Sequence, residues 1–96
     1  MNGGMRLLPW SGPDGQRCYL SSDESDGGGY VSQLADELEE AQLRTGEELL
    51  GHTAALLDGP AEATAGELRF CVHRLCEALR DALRVAESRG GHGHVT

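Results

Sequence analysis

Two amphipathic stretches, interrupted by Gly59-Pro60, constrain this chain more than anything else in it. Positions 34, 38, 41, 45, 49, 52 and 56 carry Leu, Leu, Ala, Thr, Leu, His and Leu, in steps of three and four residues. That is the period of one face of an α-helix. Ser32 supplies an N-cap, and Asp36 and Glu37 fall in the opening turns, where acids suit the helix dipole. Glycine followed by proline stops this helix after Asp58. Past the break, Thr64-Ala65-Gly66-Glu67 fits a capping box, in which the Thr and Glu side chains each satisfy a free backbone N–H. Leu68, Val72, Leu75, Leu79, Ala82 and Ala86 follow in alternating steps of four and three, and Cys71, Cys76 and Leu83 widen the stripe. Gly90-Gly91 ends it. The pattern predicts helices over 32–58 and 64–89, each about 25 residues or 38 Å long. A linker of about five residues forces them into an antiparallel αα-hairpin, so the fold class is mainly α.

A second row on the first helix, Leu43, Leu50 and Leu57, repeats every seven residues. At 100° per residue it lies about 100–140° around from Leu38, Leu49 and Leu56. One partner helix cannot cover both rows. Pairing of two hairpins into a four-helix bundle would, which points to a homodimer. Gly46 and Gly51 weaken the same helix by about 1 kcal/mol each relative to Ala, a cost tolerable where neighbours press closely.

Residues 1–31 form a different segment, rich in Gly, Ser, Pro and Asp. Pro13-Asp14-Gly15 reads as a tight turn with Pro at its favoured second position. Arg17–Ser21 and Gly29–Ser32 have strand-like residues, and the expectation is a short irregular hairpin around the acidic stretch at 21–28. Trp10 and two tyrosines, Tyr19 and Tyr30, are available to cover what the helices at 32–91 leave open. Residues 92–96 read as a frayed tail.

Ninety-six residues make one small domain, and its core is marginal at that size. The chain has 16 acids, 8 arginines and no lysine, for a net charge of -8. Direct nucleic-acid binding and attachment to anionic membranes need clustered positive charge, so neither is expected. No stretch is long and apolar enough to span a bilayer, and MNGGMRLLPW lacks the apolar centre of an export signal. Three cysteines, Cys18, Cys71 and Cys76, cannot all pair with one another, which suits reduced thiols in a cytoplasm.

Several clusters invite chemistry. Cys71, His73 and Cys76 spell C-x-H-x-x-C, but on a helix Cys71 and Cys76 diverge by about 140° and Cys71 and His73 by about 200°. Only His73 and Cys76 could share an ion, so core packing of both cysteines is the expectation and no metal or other cofactor is assigned. His52 falls on the apolar stripe, as a hydrogen-bonded residue of the core or its edge. Arg69, Arg80 and Arg84 lie within about 60° of one another with His73 among them, a candidate anion or nucleotide-phosphate site on an otherwise solvated face. Phe70 points about 160–200° away from Leu68 and Val72, onto the polar side. There it meets either the N-terminal segment or another protein. No nucleophile–base pair, metal triad or phosphate loop occurs in its proper context.

The runs W-S-G-P-D-G-Q-R-C-Y-L, G-Y-V-S-Q-L-A-D-E-L-E, E-L-R-F and A-L-R-D-A-L-R-V-A-E-S-R-G together resemble small actinobacterial proteins of unknown function. The resemblance implies a bacterial accessory protein and carries no catalytic residues. The expectation is a non-catalytic helical interaction module, regulatory or adaptor in role, acting as a homodimer or as a subunit of a complex. Leu43, Leu50, Leu57, Phe70 and Trp10 are its interface candidates. The alternative is a small-ligand or nucleotide sensor using Arg69, Arg80, Arg84 and His73.

Overall fold

The structure is a computed structural model that describes residues 4–21 and 27–90. The acidic stretch at 22–26 and the tail at 92–96, read above as a turn and a frayed end, lie outside the described residues. Two strands, β1 (Met5–Ser11) and β2 (Arg17–Ser21), precede two helices, α1 (Gly27–Asp58) and α2 (Ala65–Gly90). The helices pack as an antiparallel hairpin, and the strands form a two-stranded antiparallel sheet. At about 48 Å, α1 is the longest element and sets the long axis of a body measuring 55 × 30 × 23 Å.

The β-hairpin is not the one expected around the acidic stretch. Arg17–Ser21 is a strand, but its partner is Met5–Ser11, reached through the Pro13-Asp14-Gly15 turn. Gly15 N–H donates to the Gly12 carbonyl at 2.9 Å, and Gly12 N–H to the Gln16 carbonyl at 2.8 Å. Pro13 thus occupies the second position of the turn, and Gly15 follows in the left-handed region at φ +82°. This is a three-residue hairpin loop, where only the last residue needs a positive φ. Register runs from Met5–Ser21 to Leu7–Tyr19 and slips before Ser11–Arg17. Pro9 sits inside that slip, where a missing N–H costs the ladder nothing.

Gly29–Ser32 belongs to α1, which starts at Gly27, about one and a half turns ahead of the expected N-cap. The boundary placed at residue 32 therefore moves back. The Ser32 hydroxyl caps nothing. It accepts a hydrogen bond from Arg6 Nη1 at 2.6 Å, and the same nitrogen donates to the Ser32 carbonyl at 3.1 Å. A tertiary contact with β1 has taken the side chain that would have ended the helix. Downstream, the expected signals hold. Thr64 N–H donates to Glu67 Oε1 at 2.8 Å, Glu67 N–H donates to Thr64 Oγ1 at 3.0 Å, and α1 stops at Asp58 before Gly59-Pro60.

The buried set is Leu7, Leu8 and Pro9 from β1, Ala35, Glu39 and Thr53 from α1, and Cys71 and Val85 from α2. The sheet covers one end of the helical pair, at the start of α1 and the end of α2. Two buried ties help to hold it there. The Pro9 carbonyl accepts hydrogen bonds from Gln42 Nε2 and from Arg84 Nη1, both at 3.0 Å. Glu39, only 1% exposed, holds its Oε1 3.2 Å from Arg6 Nη2 and 3.5 Å from Arg89 Nη2, joining β1, α1 and α2 at one carboxylate. Burial pulls the Arg6 pKa down, but hydrogen bonds to Asp36 and Glu39 more than offset it, and the guanidinium stays charged.

Arg6→Met leaves the buried Glu39 carboxylate with only the more distant Arg89, and should cost about 3 kcal/mol in urea unfolding. Adding Glu39→Met should recover most of that loss, because the uncompensated charge goes with it. On the surface, Arg17 Nη1 donates to Glu87 Oε2, which raises the Arg17 pKa and holds the Glu87 carboxyl below the usual carboxylate range. Its contribution is present at neutral pH and is lost as pH falls through that lowered value. Arg17→Ala should return the Glu87 pKa upward, read by NMR titration.

Candidate functional site

The line along which α1 meets α2 is built from small and polar residues. On α1 it carries Ala35, Glu39, Gln42, Gly46 and Thr53, and on α2 Cys71, Ala78 and Val85. The Ala78 methyl lies 3.8 Å from where a Cβ on Gly46 would sit. The helices therefore settle on this line, and the leucines expected in the core stand to either side of it. Leu34 and Leu38 are exposed, Leu49 and Leu56 are half-buried, and His52, expected at the core or its edge, is exposed.

One flank is a continuous apolar face. A groove of about 700 Å³ runs between the helices, lined by Leu43, Gly46 and Leu50 of α1 and by Leu75, Ala78, Leu79 and Ala82 of α2. At 100° per residue, Leu68, Val72 and Leu83 fall on the same side of α2 as Leu79, within about 40° of it. Leu57 extends the α1 row by one heptad. Leu43, Leu50, Leu57, Leu68, Val72, Leu79 and Leu83 are each between 38% and 65% exposed. Full burial of such a side chain contributes about 1.5–3 kcal/mol, so about 5–10 kcal/mol of hydrophobic free energy is left unrealised on this face. A contiguous exposed apolar surface of this kind is uncommon on a single folded chain.

Charge is segregated along the rims. Glu40, Arg44 and Glu47 line the α1 edge of the groove. Beyond the α2 edge lie Arg69 and Arg80, both exposed. In total α1 carries seven acids against the single Arg44, whereas α2 carries four acids against five arginines.

The other candidates separate. Trp10 is half-buried in β1. Phe70 is 63% exposed, and the N-terminal sheet does not reach it. The sheet is anchored at Arg84 and Glu87, about 20 Å further along α2. Arg69, Arg80 and His73 are exposed, but Arg84 turns inward, bonded to the Pro9 carbonyl and 3.8 Å from Asp81. Arg69 and Arg80 stand about 16 Å apart along the helix, too far to grip one small anion. Cys71 is buried as expected, while Cys76 is exposed rather than in the core. Among the described residues, no group of three or more His, Cys, Asp or Glu is placed to hold a metal.

Sequence reasoning missed Glu39 and Arg6, the pair that docks the sheet. Glu39 lies three residues before Gln42 and four after Ala35, so it marks a helical line of its own. A carboxylate in that line reads as a solvated face unless its arginines are known. Compared with family models, curated proteins and solved structures, the chain finds no match.

Because a Cβ at Gly46 makes an ordinary 3.8 Å contact with Ala78, the crossing does not require glycine there. Gly46→Ala should raise stability by about 0.4–1 kcal/mol through lost freedom of the unfolded chain, measured by thermal or urea unfolding.

Proposed function

We propose that this chain is a non-catalytic protein–protein interaction module, a small regulatory or adaptor protein that works as a homodimer or as a subunit of a complex. The observation that carries the reading is the leucine face of α1 and α2, left open along the helical pair while the N-terminal sheet packs elsewhere. Two such faces brought together release about 10–20 kcal/mol. That is comparable to or larger than the roughly 4–15 kcal/mol that association costs in lost freedom. No described helix is long and apolar enough to cross a membrane, so the face is not a bilayer span. Phe70, exposed on α2, offers an aromatic anchor of the kind interfaces favour.

The test is sedimentation of the full chain at low micromolar concentration. The wild type should sediment as an assembly larger than its 10.2 kDa monomer. Leu50→Glu with Leu79→Glu should abolish association, because both side chains are exposed in the single chain and their loss creates no cavity. A wild type that stays monomeric and is as stable as the double variant overturns the homodimer.

A further inference from the structure

Resting on that reading, we infer that the occupant of the leucine face is a second copy of this chain, placed so that α1 of each copy lies on α2 of the other. Area comes first. The open apolar face of the helical pair, from Leu43 and Leu83 to the interhelical loop, runs about 22 Å along the axis and two helix diameters, about 20 Å, across. Its footprint of about 450 Å² is over half of the roughly 800 Å² per partner of a standard stable interface, and the charged rims on either side add to it. A self-complementary face buried by a two-fold axis closes the assembly at two copies.

Charge then decides between the two ways of laying one face on the other. With the two-fold axis across the helices, α1 lies on the partner's α1. The acidic rim bearing Glu40 and Glu47 then faces itself, on a helix with seven acids and one arginine. With the axis along the helices, α1 lies antiparallel on the partner's α2, and every neighbouring pair in the four-helix bundle is antiparallel. The acidic rim then faces the rim carrying Arg69 and Arg80.

Heights along the axis agree with the second arrangement. Gly46 lies level with Ala78 within one copy, and a two-fold axis along the helices preserves heights. Arg80 of one copy then falls between Glu40 and Glu47 of the other, about 4–6 Å from each along the axis. Arg69 falls about 4–5 Å from the height of Asp58. Arg44 shares the acidic rim and stands level with Arg80, but Glu40, Glu47 and Glu48 around it leave that rim net negative.

The test measures dimer dissociation constants by sedimentation equilibrium, with circular dichroism confirming helix content. Glu40→Gln with Glu47→Gln should weaken the dimer severalfold, and Arg69→Glu with Arg80→Glu by about tenfold or more. Joining Glu40→Arg and Glu47→Arg to Arg69→Glu and Arg80→Glu in one chain should restore it. Each effect should shrink in 1 M salt, where the screening length is about 3 Å. If the Glu→Gln pair tightens the dimer, or neither pair changes it, this arrangement is overturned while the interaction reading survives. A wild type without a dimer overturns the self-pairing altogether and leaves the interaction reading only as a subunit of a complex with another protein.

Discussion

The sheet and both helices of this fold meet at one buried carboxylate. Glu39 sits mid-face on α1, where an apolar residue would ordinarily pack, and two arginines from separate elements, Arg6 and Arg89, approach its Oε1. Burying a carboxylate without cations is too costly to persist, so α1 and α2 close here only if Arg89 and the strand bearing Arg6 come with them. The sheet has little else to recommend it. A two-stranded hairpin is marginal alone in water, and this one contains a proline and a register slip. Its stability is borrowed from the helices through Arg6 and through the Pro9 carbonyl, which both Gln42 and Arg84 reach.

That choice of contact displaces the leucines. A helix pair centred on Ala35, Glu39, Gly46, Ala78 and Cys71 brings the backbones together on small side chains. Branched residues one step around the helix then project beside the contact rather than into it. The two rows on α1 consequently have separate fates. Leu49 and Leu56 are half-buried, while Leu43, Leu50 and Leu57 join the wide apolar face of α2.

Much of the architecture was legible because it is local. The two helices, the capping box at Thr64 and Glu67, the stop at Gly59-Pro60 and the turn at Pro13-Asp14-Gly15 each follow from a few neighbouring residues. The divergence of the Leu43 row from Leu38 and Leu49 was legible too, and with it the inference that α1 has two apolar sides. What stayed hidden depends on pairs distant in the chain. Gly29–Ser32 reads as a strand after three glycines, and only Arg6, 26 residues from Ser32, explains why the hydroxyl is not a cap. Periodicity also counts the leucines of a stripe without locating its centre. It placed Leu34, Leu38 and His52 in the contact, when the centre lies on the Ala35–Glu39 line.

The division of labour between the two sides of the hairpin bears on why a chain this small needs its N-terminal sheet. Without it, the buried Glu39 would lose its Arg6 partner, and the start of α1 and the end of α2 would be open. The sheet covers that end with Leu7, Leu8 and Pro9 and fastens the cover with charge. Segregating acids on α1 and arginines on α2 adds orientation to the leucine face, since a face with both signs on opposite rims distinguishes its two possible stackings. The polar residues at the core and along the rims therefore contribute less to raw stability than to limiting which surfaces meet. In the pairing proposed above, the leucines supply the driving force and the rim charges orient it.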